Sequence, residues 1–387
     1  MRDMRIKRHI DTLLHRFEKD FVTHNQIEVS KSALLHNLDL FTSSSAHQVI
    51  PVLKANAYGH GIEQVATILK DRKLPYIAVD GYFEALRIRD VSQQPVLVMG
   101  AILPQNYAHM KYDNFTFVVH DAVTIHAIGK TGEKVKVHLE CNTGMNRYGA
   151  HPDEAADLAK LILSYKNLTF EGIMSHLADS DSDDYATVED AVKIFDQCIE
   201  QVRAVGAKPT IIHIAQSAGS LKAQSEYANT MRLGIALYGI NPFSPDRKLY
   251  STLTGLRPAL RLTSTITQIV DLKKGDKVSY NYTFTAPKNM RIGVLPLGYY
   301  EAINRALSNK GTVKIGKKFA PIVGRVCMNH TMINLDDIRA AEGDKVIVYS
   351  DDPRDKNSID AIARQHDLFN YNLLTALSSD MRHIIVD

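Results

Sequence analysis

Short apolar runs alternate with amphipathic stretches along the first part of the chain. Val49-Ile50-Pro51-Val52-Leu53 is apolar and partly β-branched, which predicts a short buried strand. Ahead of it, Ser30 or Ser32 can cap a helix running through Phe41. Behind it, Ile62, Val65, Ala66, Ile68 and Leu69 share one face of a helix. The alternation continues with strands at Tyr76-Ile77-Ala78-Val79, Pro95 to Met99 and Phe115 to Val119, and a helix around Glu84 to Ile88. Val135 to Leu139 predicts another strand with Glu140 at its end, followed by a helix from Glu154 to Leu163. Phe170 to Ser175 predicts a strand ending at His176. A long helix carries Val188, Val192, Ile194, Phe195, Cys198 and Val202. Thr210 to His213 and Arg232 to Leu237 complete the set of expected strands.

Strand and helix alternating in this way imply a parallel sheet, and eight such units fit a closed (β/α)8 barrel of the TIM type. Lys54, Glu140, His176 and Ser217 fall at or just after expected strand ends, the face on which such barrels build active sites; Arg232 stands at an expected strand start. After about residue 245 the long helices stop. Leu260 to Val270, Lys277 to Tyr280, Arg291 to Leu297, Thr312 to Ile315, Ala320 to Val326 and Lys345 to Tyr349 predict a mostly β domain. Two helical stretches, Ile359 to His366 and Tyr371 to Leu377, precede a closing strand at His383 to Val386. The expected organisation is an amphipathic extension over 1–24, a barrel over 25–245 and a β domain over 246–387. In the extension Ile6, Ile10, Leu13, Leu14, Phe17 and Phe21 share a helical face, with arginines and lysines largely elsewhere. That face is expected to pack on protein, its own or a dimer partner's, and not on lipid.

Composition narrows the class. The chain has 387 residues, 45% hydrophobic and 23% charged, with a net charge of +3 that gives no argument for nucleic acid. The three cysteines, Cys141, Cys198 and Cys327, are far apart, form no metal spacing and suggest a reducing compartment. No apolar run is long enough to span a membrane and the N-terminus lacks a secretory core, so a cytoplasmic location is expected.

The chemistry centres on Lys54, at the end of the first apolar strand. A poorly solvated lysine there is a potential nucleophile. Asn56, Tyr58, Gly59, His60 and Gly61 follow it as a tight turn that lets backbone approach a ligand. The string Val52-Leu53-Lys54-Ala55-Asn56-Ala57-Tyr58-Gly59-His60-Gly61 resembles the cofactor-lysine motif of the alanine racemase family, pyridoxal 5'-phosphate (PLP) enzymes built from a barrel and a β domain. Further matches follow in order: Asn142 to Arg147, Met231 to Gly239, Val278-Ser279-Tyr280 and Pro321 to Met328.

The resemblance implies that Lys54 bonds covalently to PLP and serves as one base, with Tyr280 the second base on the opposite face of the substrate, reaching over from the other subunit of a homodimer. It implies His176 and Arg232 behind that tyrosine, and Arg232 at the pyridine nitrogen. Tyr58, Ser217, Gly234, Ile235 and Tyr371 match the phosphate site, and Arg147 and Met328 the substrate-carboxylate contacts. The expected activity is interconversion of L- and D-alanine, supplying D-alanine for bacterial cell-wall synthesis. Three departures surround the substrate channel. Glu140 stands where the family commonly has a carbamylated lysine, Glu301 alters the entry motif, and Asn329 replaces an aspartate. Glu140 is expected to pair with Arg147, directly or through water. The competing readings are a racemase of another small amino acid such as serine, a non-catalytic PLP-binding barrel, and a barrel-type PLP decarboxylase.

Overall fold

A computed structural model of the chain describes residues 22–44 and 47–387. The helix expected over 1–24 therefore lies almost wholly outside the described residues; residues 22–24 have no helical structure. The chain divides into two compact units. One spans Lys31–Ala259; the other joins the segment ending at Ser30 to Leu260–Asp387.

The first unit is the expected barrel. Its strands follow β1 (Gln26–Ser30) in the chain: β2 (Gln48–Pro51), β3 (Ile77–Val79), β4 (Val96–Val98), β5 (Phe115–Val119), β6 (Val135–Glu140), β7 (Leu168–Met174), β8 (Ile211–His213) and β9 (Thr230–Leu233). All pairings between neighbours are parallel, in the order β2-β9-β8-β7-β6-β5-β4-β3. The ring closes where Val52 bridges Ala78 and the Leu53 N–H donates to the Ala78 carbonyl at 2.7 Å. Successive strand residues point to opposite faces. Ile50, Val52, Ala78, Leu97, Val118 and Met174 accordingly pack together as one buried cluster, together with Tyr76. Among the described residues no helix is long and apolar enough to cross a membrane.

One strand sits differently from its sequence reading. The apolar run from Arg232 to Leu237 is not a single strand. The strand begins at Thr230, pairing with Gln48, and stops at Leu233. Gly234 then takes φ −98°, ψ −107°, and Ile235–Tyr238 coils into a 3-10 turn. The Gly234 and Ala236 N–H groups both donate to the Ser217 hydroxyl, at 3.1 and 3.4 Å, instead of to a strand. Arg232 thus lies near the C-terminal end of its strand, with the other site residues.

The second unit is mostly β. Besides β1 it holds β10 (Leu260–Thr265), β11 (Gln268–Leu272), β12 (Lys277–Val278), β13 (Phe284–Thr285), β14 (Met290–Leu295), β15 (Thr312–Ile315), β16 (Lys318–Pro321), β17 (Thr331–Asn334), β18 (Lys345–Tyr349) and β19 (Arg382–Val386). One sheet runs β16-β15-β18-β10-β1-β19 and another β11-β14-β17. Two boundaries expected from the sequence move. Residues Gln26–Ser30 pair antiparallel with β10 and parallel with β19, so they belong to this unit and not to the barrel. The barrel unit in turn extends past residue 245 to Ala259. The strand expected over Leu260 to Val270 is broken in two at Ile266-Thr267, and the one expected over Ala320 to Val326 ends at Pro321.

Candidate active site

Lys54 follows β2, half-buried, and its ammonium lies 3.7 Å from the Asp80 carboxylate at the end of β3. The four residues after it, Ala55 to Tyr58, all have φ between 52° and 55°, a left-handed turn built without glycine. Each such residue is unfavourable by roughly 1–2 kcal/mol, so the turn needs external support. Glu84 supplies it. Its carboxylate accepts the Ala55 N–H at 2.7 Å, the Asp80 N–H at 3.0 Å and the Gly81 N–H at 3.1 Å, tying the ends of β2 and β3 together. The Asn56 side chain accepts from the Ile62 N–H and from Arg87, fixing the turn to the next helix.

Beside Lys54, four of the five expected phosphate residues converge. Ser217 is buried under the 3-10 turn and receives the Gly234 and Ala236 N–H groups; the Ile235 N–H between them donates to none of the described residues. A Cβ on Gly234 would fall 2.9 Å from the Tyr58 hydroxyl and 3.9 Å from the Ser217 hydroxyl. Glycine therefore leaves a space rimmed by two hydroxyls and the amide groups of a short turn, the donor set that suits a phosphate. Burial, aided by Asp80, pushes the Tyr58 hydroxyl up to about 12, so it stays a donor.

Arg232, two residues before Gly234, is buried. Its Nη1 donates to His213 Nδ1 at 2.7 Å and to the His213 carbonyl at 3.2 Å. Its Nη2 donates to the Ser175 carbonyl (2.7 Å), His176 Nδ1 (3.0 Å) and the Ile214 carbonyl (3.2 Å). All these bonds leave from Nη1 and Nη2; Nε donates to none of the described residues. Burial lowers the guanidinium to about 10, which leaves it charged near neutral pH. Burial and the positive charges of Arg232, Arg147 and Lys54 depress His176 to about 3, so this ring is neutral. A lysine, a cradle of hydroxyl and amide groups and an unengaged arginine N–H fit PLP at this barrel mouth.

Glu140, Arg147 and His176 line one pocket together with Asn142, Thr143 and Met145. Asn142 builds the loop that carries Arg147. Its Oδ1 accepts the Gly144 and Asn146 N–H groups at 3.0 and 3.1 Å. The expected direct Glu140–Arg147 pair is not formed. Glu140 is buried at the end of β6, whereas Arg147 is exposed on its loop. Burial raises the Glu140 carboxyl, against the lowering pull of Arg232, His120 and Arg147, so its charge is less secure than the sequence suggested.

Tyr280, Met328 and Tyr371 belong to the β-rich unit. Tyr280 is 67% exposed, on a turn where Ser279, Asn281 and Tyr282 have positive φ. The Ser279 hydroxyl donates to the Arg325 carbonyl at 2.6 Å, and a Cβ on Gly324 would strike Ser279 Cβ at 2.8 Å. The Val278-Ser279-Tyr280 and Pro321–Met328 motifs therefore meet. Met328 is exposed, and Tyr371 stacks on Phe369 with centroids 4.8 Å apart. Two of the departures meet as well: Asn329 Nδ2 donates to Glu301 Oε1 at 2.7 Å, while Glu301 Oε2 accepts the Gly298 N–H at 2.8 Å.

Comparison with known proteins accords with these features. Residues 29–242 match the family model "Alanine racemase, N-terminal domain" and residues 259–385 match "Alanine racemase, C-terminal domain". The chain is 32% identical over 373 residues to an alanine racemase of Helicobacter pylori (strain J99), covering 93% of this chain and 98% of that protein. Among solved structures, an alanine racemase of Bacillus anthracis with bound L-Ala-P is 27% identical, with a TM-score of 0.85 and coverage of 95% and 96%. One from Clostridium difficile 630 is 26% identical, with a TM-score of 0.85 and coverage of 93% and 94%. With both halves matched in order over nearly its whole length, the chain belongs to the alanine racemase family.

Proposed function

We propose that the protein interconverts L- and D-alanine with PLP held at Lys54, by two bases that work from opposite faces of the substrate. The observation that carries this reading is the convergence on one barrel mouth of Lys54, the Ser217–Gly234–Tyr58 cradle and the unengaged Nε of Arg232. Bound there, PLP would draw electrons from the substrate Cα and acidify its proton. Lys54 Nζ takes that proton on one face, and the Tyr280 hydroxyl delivers one on the other. Ser217, Tyr58, Tyr371 and the backbone of Gly234 and Ile235 would hold the phosphate, and Arg147 with the Met328 backbone would orient the substrate carboxylate. Arg232, with Nε unengaged, would hold the ring nitrogen without giving up its proton, because an arginine remains charged. That would keep the electron sink weak and favour return of a proton at Cα over other outcomes. His176, neutral and bonded to Arg232, extends the donor chain toward the second base.

Tyr280 is exposed and makes no hydrogen bond through its hydroxyl to the described residues, which supports a homodimer in which it serves the partner's site. A cytoplasmic enzyme that supplies D-alanine for the cell wall accords with the cysteine usage and the family. The match over 259–385 weighs against a cofactor carrier made of the barrel alone. The test is to mix the purified protein with single L-amino acids and score D-product, then reduce with borohydride and map the cofactor label. D-alanine and a label at Lys54 are expected; a label at any other lysine, or preference for another amino acid, overturns the reading.

A further inference from the structure

Barrel interiors are normally filled by branched apolar layers. This one contains a line of polar side chains that the mechanism above does not use. His213 Nε2 lies 2.9 Å from His138 Nδ1, and His138 Nε2 lies 3.6 Å from Glu171 Oε2. Both rings are wholly buried. Glu171 also meets Lys136 Nζ at 2.7 Å and accepts from the Tyr76 hydroxyl, which in turn accepts from Thr116 at 3.0 Å. Lys136 is the second residue of β6 and Tyr76 immediately precedes β3, so this end of the line lies toward the strand N-termini. The other end is Arg232, toward the C-termini.

The line has one possible polarity. An arginine only donates. The Nη1 bond therefore makes His213 Nδ1 an acceptor and places the His213 proton on Nε2. That proton points at His138 Nδ1, which must accept, so the His138 proton sits on Nε2 and faces Glu171. Every N–H vector points from Arg232 to Glu171. The rings are neutral: burial lowers both, with Arg232 adding to the effect and Glu171 opposing it at His138. Burial pushes the Glu171 carboxyl up, but the His138 ring facing it at 3.6 Å, too long for a hydrogen bond, together with close contacts from Lys136 and Tyr76, outweighs burial and brings it down to about 2. The line thus has a fixed cation at one end and a fixed anion at the other, with two polarised imidazoles between.

The chain makes room for it. A Cβ on Gly172, beside Glu171 in β7, would lie 2.6 Å from three atoms of the His138 ring. The β6–β7 register also shifts at this level, between Val137 and His138. Two buried imidazoles are costly compared with apolar side chains of like volume, so their retention calls for a role beyond packing.

We infer that Glu171 is a positioning residue for Arg232, acting through His138 and His213 to hold the guanidinium in place with Nε free. The inference rests on the proposed placement of PLP over Arg232. Its first test does not, because histidine tautomers can be read by ¹⁵N NMR of the enzyme as isolated, without substrate. His213 and His138 should both be neutral with the proton on Nε2 across about pH 6 to 9, a range in which a free histidine titrates. In Glu171→Gln the single tautomer should be lost at one ring or both, and the cofactor absorption band should shift. kcat should fall roughly tenfold with KM nearly unchanged, the pattern of an interaction made in the transition state. Glu171→Asp, which keeps the charge, should recover part of each change; if the Gln variant does not fold, Asp gives the same readouts at smaller amplitude. A native His213 that is charged or carries its proton on Nδ1 overturns the proposal. So does a folded Glu171→Gln enzyme with unchanged tautomers, band and kcat, even if it melts earlier. Locked tautomers without a label at Lys54 would instead sink the parent reading alone.

Discussion

The two units hold their chemical residues in opposite ways. In the barrel, Arg232, Ser217, Glu140 and Gly234 are buried at strand ends, and their hydrogen bonds come from the same unit. In the β-rich unit, Tyr280 and Met328 ride on turns with more than half of their surface exposed. The barrel site is therefore preorganised by its own strands, so removing a residue there disturbs neighbours. The turn that carries the tyrosine of the β unit is set by the positive φ of Ser279, the Ser279 hydroxyl on the Arg325 carbonyl and the close approach of Gly324, with no hydrogen bond from the Tyr280 hydroxyl to the described residues. Its side chain can be replaced at little structural cost.

The sharpest way to break this contrast is at the two proposed bases. Lys54→Ala should lower racemisation by about 10³-fold or more while the protein remains folded, since the lysine is half-buried and its visible partner is one carboxylate at 3.7 Å. Tyr280→Phe should cost about 10²-fold, much more from one enantiomer than from the other, with no change in melting temperature. Mixing the two inactive variants should restore some activity if the tyrosine comes from a partner subunit. Mixed dimers without activity would mean that each chain completes its own site.

Acid should expose the barrel's dependence on burial. His176 has a folded value of about 3 against an ordinary 6.5, so between those limits only the unfolded ring binds a proton. Stability contributed above pH 6.5 is therefore lost as the pH falls toward 3, and His138 and His213 act in the same direction. Glu171, lowered from 4.5 to about 2, adds a further loss inside the range 4.5 to 2. Melting temperature measured against pH should fall steadily below 6.5; a flat profile down to pH 4.5 would mean that these histidines are not held neutral.

Glu140 should respond more weakly than its sequence position suggests. With no direct bond to Arg147 and a carboxyl raised by burial, it contributes through the field in the pocket. Glu140→Gln should lower kcat/KM about two- to tenfold, equivalent to a single net hydrogen bond of ~0.5–1.5 kcal/mol, and should not lower the melting temperature. A loss well beyond that range would mean that Glu140 and Arg147 pair when substrate is present.

What was legible in the sequence follows from how local each signal is. The barrel strands are runs buried on both faces and bounded by turns, so apolar periodicity finds them. The strand Gln26–Ser30 was missed because its partners, Leu260–Thr265 and Arg382–Val386, are remote in sequence. Arg232 was misplaced within its strand because Ile235-Ala236-Leu237 has strand composition, and only the Ser217 hydroxyl reveals why it coils. Glu84 carried no signal, since nothing local says that a helical glutamate braces a left-handed turn in another segment. The core histidines did carry one. Lys136, His138 and Glu140 alternate with Val135, Val137 and Leu139 in a strand that should be apolar on both faces, a polar stripe aimed into the barrel.

The smallest effect expected separates chance from compensation among the departures. Glu301 and Asn329 are distant in sequence and each breaks a family pattern, yet they meet at 2.7 Å. Glu301 also caps the Gly298 N–H, and glycine is required there because a Cβ would fall 2.1 Å from the Cys327 carbonyl. The Tyr299 and Tyr300 N–H groups donate to the Cys327 and Met328 carbonyls at 3.0 Å each, so Glu301 and Asn329 clamp two segments that already share backbone bonds. An aspartate at 329 would set a second carboxylate against Glu301; the amide offers a donor instead. Asn329→Ala and Glu301→Gln should each lower stability slightly. The double variant should show a coupling of about 0.5–1.5 kcal/mol, the net value of one hydrogen bond. Asn329→Asp alone should be worse than Asn329→Ala, because it adds repulsion as well as removing the donor. Additive single effects, or an aspartate tolerated as well as alanine, would mean that the two departures arose independently and that their contact does not shape the loop around Met328.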